Sequence, residues 1–409
     1  MKYKSYSATS FKHTPYYHKL SSQQQNEFNI VTKILHFKVN NYVLENLINW
    51  EDLENDPIYK LTFPQRGMVL DKDYQRLENR IEISAENSSI EMAALVARKN
   101  LYPPHMPTND NHIQIDGLYH LFPKTLELFP TKASTCHSYC TYCHRWMPLV
   151  EQDARYTYSN DAKVIEYLQA HSEIEDVIFS GGDPMVMSAS SIKKVVEPII
   201  AFGQIKSIRF ISKSLAWWPY RYTTDEDAQE LLTYFDELTK RNIHVTFVAH
   251  FTHPKELQPQ VVQQAIANIL RSGVVIRCQG PIVKGINDDA DILAELWKKQ
   301  VQFGMVPYYL FVEFNYGPTG YFKIPIAKAL EITQQAIRNS CGLVKTIRGP
   351  VISDKQMKLC IEGTVTIAGN KMFVLKCINS HQPENVGKIF FEKFDEFKLR
   401  LALDLIESV

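Results

Sequence analysis

No sign of charge dominates this chain: 45 lysines and arginines balance 45 aspartates and glutamates over 409 residues. A chain with no net field does not point to nucleic acid or an anionic membrane as an obligatory partner, although local basic patches remain open. Long hydrophobic runs are missing as well, and nowhere do roughly eighteen apolar residues follow one another, as a membrane-spanning helix would need. The first residues, Met1-Lys-Tyr-Lys-Ser, carry early lysines with no apolar stretch behind them, so no export signal is expected and the localisation reads as cytoplasmic. A disulfide framework is lacking too. The cysteines number 7, an odd count, and Cys278, Cys341, Cys360 and Cys377 are scattered, which suits a reducing compartment. There is no low-complexity tract and no internal repeat beyond a strand–helix period. What remains is an ordinary globular composition, 45% hydrophobic, 22% charged and 11% aromatic. The chain is long for one core, so a large barrel-like domain with appendages, or two domains, is the expectation.

The other cysteines are clustered, as Cys136-His-Ser-Tyr-Cys140-Thr-Tyr-Cys143-His144-Arg145. An iron–sulfur cube usually takes four cysteines; one held by three keeps an iron open for a reactive ligand. The same residues admit other readings. Cys140-Thr-Tyr-Cys143-His144 is also the spacing of a c-type haem attachment and of a redox pair. Three cysteines with His144 could hold structural zinc, although the adjacent Cys143 and His144 would strain to reach one tetrahedral ion together.

Residues 1 to about 110 are polar and aromatic, with helical patches at Phe28–Leu47 and Ser84–Leu101. From Leu126 onward, short apolar runs (126–129, 177–179, 208–211, 245–248, 274–277 and 307–311) alternate with amphipathic stretches near 161–170, 190–201, 225–241, 258–271, 289–301 and 327–339. Alternation of this kind predicts βαβ units and a parallel sheet. The expected fold is α/β, a partial (β/α)6 TIM-like barrel over 116–345. It follows a helical N-terminal region (1–115) and precedes a C-terminal extension (346–409), in which 358–367 and 371–378 form a β-hairpin and Phe391–Ile406 a helix. Chemistry should then sit at the C-terminal ends of the strands.

The cysteines follow the first of these runs, and the second ends in Ser180-Gly181-Gly182-Asp183-Pro184. Two glycines there allow close backbone approach to a ligand, or a tight turn with Asp183 as helix cap. Taken together, these motifs resemble the radical S-adenosylmethionine (SAM) superfamily, whose hallmark is C-x3-C-x-aromatic-C followed by a GGD-like turn. The resemblance implies that Cys136, Cys140 and Cys143 ligate a [4Fe–4S] cluster and that Tyr142 lies against the nucleoside of SAM. It also implies that Ser180, Gly181, Gly182 and Asp183 receive the methionine amino group. One electron, from a reducing partner such as flavodoxin or ferredoxin, would cleave SAM to a 5′-deoxyadenosyl radical that abstracts a substrate hydrogen.

The likeness narrows to the lysine 2,3-aminomutase family through Tyr119-HLFPKTLELFPTKASTC, Ala249-HFTHPKE, Cys278-QGPIVKGIND and Pro307-Tyr308-Tyr309. It covers about residues 116 to 345. It implies that Arg145 pairs with a substrate carboxylate, for which a guanidinium is suited, that Glu313 faces the substrate, and that His250 and Gln279 line the SAM or cofactor side. A fixed ion pair for Arg145 and a satisfied core histidine for His250 are the alternatives. The family's GGGGK loop, whose lysine holds pyridoxal phosphate, has no counterpart: the stretch reads Gly349-Pro-Val-Ile-Ser353-Asp-Lys355. Either Lys355 keeps the lysine's spacing, or the loop is deleted and Lys358 begins the following strand. Phe314 and Arg348 stand where the family places acids for a lysine side chain, which makes lysine a poor substrate candidate. The implied activity is hydrogen abstraction from a small carboxylate-bearing molecule, with a 2,3-amino shift as one outcome. A pyridoxal-phosphate-independent reaction on another substrate or a protein side chain is a second, and a barrel with structural zinc or redox-sensing cysteines is the non-enzyme alternative. A homo-oligomer is open.

Overall fold

The computed structural model describes residues 1–83, 86–102, 116–143, 157–159, 161–312, 317–353 and 357–401. Arg145, Glu313 and Lys355 lie outside the described residues. β1 (Ser5–Ser7) and β2 (Lys38–Asn40) form a small antiparallel ribbon. The main sheet comprises β3 (Leu118–Phe122), β4 (Thr125–Leu128), β5 (Asp176–Phe179), β6 (Ser207–Ser212), β7 (His244–His250), β8 (Val275–Ile282), β9 (Val306–Val312), β10 (Arg348–Ser353), β11 (Met357–Ile367), β12 (Asn370–Ser380) and β13 (Ile389–Lys393). Its strands lie side by side in chain order. β4 to β10 are parallel, β3 runs antiparallel to β4, and β11 to β13 form an antiparallel extension. Lys358 of β11 lies 5.5 Å from the ring centroid of Phe122 in β3, so the sheet curls until the edge strand β3 approaches β11.

Sequence periodicity decides which face is which. In the helix Ala228–Lys240 the buried residues Leu231, Tyr234, Phe235 and Leu238 recur at helical spacing, and so do Val262, Ala265, Ile266 and Ile269 in Gln260–Arg271. Such stripes cover the outer face of the sheet, as where Phe210 of β6 lies 5.5 Å from Phe235; buried Cys278 of β8 contacts Met305, directly before β9. The alternate residues Arg209, Arg277 and Gln279 therefore point to the concave side. There Asp176 takes hydrogen bonds from Ser207 and Thr125 and pairs with Arg209.

Three expectations need correction. β10 adds a seventh parallel strand, so the sheet runs through the division drawn at 345/346. Phe28–Leu47 is not one helix but Ser22–Ile34, β2 and Asn41–Asn46, because residues 38–40 pair with β1. A terminal helix over Phe391–Ile406 is contradicted over its described part: residues 389–393 are β13, paired with β12, and 394–401 carry no helix. Among the described residues no helix is long and apolar enough to cross a membrane.

Candidate functional site

The cysteine loop leaves the end of β4 and is fixed from two sides. One is the glycine turn after β5. The Gly182 N–H donates to the Ala133 carbonyl at 2.8 Å, and the Asp183 N–H donates to the Thr135 carbonyl at 2.9 Å. A Cβ on Gly182 would stand 2.5 Å from the Thr135 oxygen, closer than any side chain tolerates, and Gly181 has φ +121°, a region essentially restricted to glycine. The two glycines thus admit the backbone that leads into Cys136. Beside this packing role, the turn brings the Asp183 carboxylate within electrostatic reach of Cys136.

The other side is the N-terminal region, a role that no local sequence feature announces. Buried Asn40 donates from Nδ2 to the His137 carbonyl (3.2 Å) and to the Trp217 carbonyl (2.7 Å). Its backbone N–H donates to Ser138 Oγ at 3.1 Å. Tyr3 OH donates to the His137 carbonyl, Tyr139 N–H to the Lys38 carbonyl, and Thr141 N–H to the Leu61 carbonyl. Tyr102 OH donates to the Cys143 carbonyl at 3.1 Å. Burial of these backbone groups is tolerable because each has a partner.

Burial pushes the Cys136 thiol well above its usual range, with Asp183, Cys143 and Cys140 adding to the effect and Lys38 opposing it. Cys140 is raised by burial too, while Lys213 and the Trp217 indole pull it down. The Trp217 Nε1–H donates to Cys140 Sγ at 3.3 Å. Thiols so placed need a positive centre to ionise, and a metal cluster supplies one. Lys213, at the end of β6, is buried and pairs with buried Glu256 at 2.7 Å. Its ammonium also donates to Thr252 Oγ1 (3.0 Å). Neither Lys213 nor Trp217 stands out in the sequence; a lysine directly after a parallel strand, on the side where chemistry is expected, is the available signal.

The other expected residues lie on the cysteine loop, on the β5 turn and towards the C-terminal ends of β7 and β8. Tyr142 OH meets Thr252 Oγ1 at 3.3 Å. The Asp183 carboxylate takes hydrogen bonds from Ser212 Oγ (2.7 Å) and from the backbone N–H groups of Lys213 and Met185, and burial lifts its pKa to about 6 against those bonds. Asp183 thereby ties the β5 turn to the end of β6. His250 and Gln279 are opposite each other on β7 and β8, with Nε2 atoms 2.6 Å apart. All of these groups gather at the C-terminal mouth of the parallel strands. Among the described residues no three His, Cys, Asp or Glu side chains are close enough to hold a single metal ion; a cube presents a separate iron to each thiolate.

Residues 128–260 match the family described as a 4Fe-4S single cluster domain. An Aquifex aeolicus protein provisionally named L-lysine 2,3-aminomutase is 26% identical over 374 residues, 91% of this chain and 89% of its own length. The L-lysine 2,3-aminomutases of Fusobacterium nucleatum (25% identical) and Escherichia coli (27%) align over 55% and 56% of this chain, and the chain spans 50% and 64% of their lengths. Two solved structures overlap weakly. Streptococcus suis SuiB has 12% identity and TM-score 0.37, covering 76% of this chain and 67% of that one. TYW1 with a lysine-pyruvate adduct bound has 12% identity and TM-score 0.32, covering 63% and 83%. At those scores the fold argument rests on the strand order alone. The family match and the sequence relatives support a radical SAM enzyme with a [4Fe–4S] cluster and SAM as its cofactors. Within that class the chain is similar in sequence to proteins named for lysine 2,3-aminomutase, at 25–27% identity for those given above.

Proposed function

We propose that this chain abstracts a hydrogen atom from a small, amino-acid-like carboxylate substrate, with Cys136, Cys140 and Cys143 as the ligands of the cluster. The observation that carries the proposal is the direct bonding of the cysteine loop to the Ser180–Asp183 turn at the mouth of the parallel sheet. When bound, the cluster and SAM supply an electron and a 5′-deoxyadenosyl radical. The protein's part is positioning. Ser180 to Gly182 offer backbone groups beside the thiols, Tyr142 offers a ring held at Thr252, and the His250–Gln279 pair lines the mouth. Arg145 is assigned to the substrate carboxylate, Glu313 to the substrate's other polar end.

The concave wall supports an anionic substrate. Arg277 of β8 lies 5.1 Å from the Tyr308 ring, and among the described residues no carboxylate pairs with it. A guanidinium so placed is suited to a carboxylate or phosphate. A 2,3-amino migration, as named for the relatives, is one reaction such a site could run. A rearrangement without pyridoxal phosphate is the second reading, favoured because residues 348–353 form β10 instead of a glycine loop.

Anaerobic reconstitution tests the core of the proposal. About four irons per chain and 5′-deoxyadenosine on reduction with SAM are expected; stoichiometric zinc and no 5′-deoxyadenosine would sink it. Borohydride trapping with pyridoxal phosphate separates the two reactions, and an adduct at Lys355 would restore the amino migration.

A further inference from the structure

Trp217 ends the short helix Ser214–Trp217 behind the cysteine loop and is 1% exposed. Its indole N–H, at 3.3 Å from Cys140 Sγ, is aimed at a cluster ligand and held there by independent restraints. The Trp217 carbonyl accepts from Asn40 Nδ2, and the same Nδ2 donates to the His137 carbonyl inside the cysteine loop. One amide therefore sets the spacing between the tryptophan and the thiols. The indole face is fixed as well, with Lys213 Nζ 4.6 Å from the ring centroid and anchored by Glu256. Trp218, next in the chain and equally buried, sends its N–H away from the cysteines to Asp225, at 2.9 and 3.1 Å.

Hydrogen bonds to cluster sulfurs are among the factors that set an iron–sulfur potential. Reduction adds a negative charge that is shared by the thiolates, and a donor to sulfur stabilises the reduced form more than the oxidised one. We infer that Trp217 raises the reduction potential of the cluster by donating its indole N–H to the Cys140 sulfur, an inference that rests on the cluster reading above. Trp217 is in this sense a positioning and tuning residue: it touches a ligand and takes no part in bond breaking.

Trp217→Phe keeps an aromatic ring under Lys213 and removes the donor. The expected result for the reconstituted holoenzyme, read by redox titration with electron paramagnetic resonance, is a midpoint lower by about 59 mV, a tenfold loss of reduced cluster at fixed poise for a one-electron couple. Trp218→Phe, which loses an equally buried indole N–H, should leave the midpoint in place. A cluster-bearing Trp217→Phe protein with an unchanged midpoint overturns the inference, and so does an equal shift in both variants. Should the Phe variant take up no cluster, the unsubstituted Trp217 still answers. With 15N-indole tryptophan in a Trp146→Phe background, chosen because Trp146 follows closely after Cys143, the reduced cluster should show a weak 15N coupling, and its absence refutes the bond. Recovery of zinc without iron would instead remove the cluster reading itself.

Discussion

Replacing Asn40 should loosen the cysteine loop although Asn40 touches no cysteine. Its side chain does three jobs: Oδ1 accepts from Val43 N–H at 3.0 Å as the cap of the helix Asn41–Asn46, and Nδ2 donates to the carbonyls of His137 and Trp217. Loss of the cap costs about 1 kcal/mol. The Trp217 carbonyl loses a buried donor, worth about 2 kcal/mol within the usual spread of 1–3. The His137 carbonyl keeps its bond from Tyr3 OH, so its loss is about 1 kcal/mol. Asn40→Ala should therefore cost about 4 kcal/mol, a large part of a typical domain's stability. Asn40→Ser keeps a good cap and removes only the two donors, so it should cost about 3 kcal/mol. Urea denaturation followed by circular dichroism measures both, and iron release to a chelator should speed up in both. If Ala costs under about 1 kcal/mol, or Ser recovers the whole loss, the amide bridge between the loop and Trp217 is not what holds them.

Gly182→Ala should give a folded protein with most of its iron uptake lost, because the new Cβ meets the Thr135 oxygen at 2.5 Å and nitrogen at 2.9 Å; full iron content by colorimetric assay would refute the packing argument. Lys213→Met leaves Glu256 buried and unpaired and should cost about 3–5 kcal/mol, whereas adding Glu256→Gln should return part of it; strictly additive losses in a denaturation cycle would show that the two residues do not interact. Burial, with help from Arg98, holds the His36 pKa down at about 4. The folded state therefore resists protonation of a group that protonates near 6.5 when unfolded, so stability present above pH 6.5 is lost as pH falls towards 4. The loss is up to about 3 kcal/mol. His36→Gln should flatten the urea midpoint over that window, and an unaltered pH profile would contradict the assignment.

What is legible in the sequence is what short-range pattern encodes. The six runs from Leu126 to Phe311 are β4 to β9 in the structure, because apolar runs of strand length between amphipathic helices leave few alternatives. β13 shows the limit. Phe391, Phe394, Phe397 and Leu401 recur at three- to four-residue spacing, which reads as a helix, yet residues 389–393 complete the ladder beside β12 from Lys376↔Ile389 to Met372↔Lys393. An available sheet edge outweighs local periodicity. The clamp on the cysteine loop is invisible for another reason. Asn40 reaches residues 97 and 177 positions away, and a lone asparagine before a short helix announces only a cap. Likewise the glycines of the turn suggest close approach to a ligand, and the nearest neighbour of Gly182 is the protein's own Thr135.

The stretch from Arg348 to Ser353 bears on which of the two proposed reactions the site would favour. A phosphate is cradled by backbone N–H groups that are free to point at it, usually from glycines at a turn or helix start. Here the backbone is engaged on both sides, with Arg348 and Val351 in register with Tyr309 and Phe311 of β9, and Val351 to Ser353 with Cys360 to Lys358 of β11. Bulky Val351 and Ile352 are buried in that position. A segment used as the seventh parallel strand has given its donors to its neighbours, and it places Arg348 beside Tyr309 and leads directly to Lys358, 5.2 Å from the same ring. The strand that stands in place of a glycine-rich phosphate loop is thus flanked by cationic and aromatic side chains, the surroundings that the anionic substrate proposed above would need.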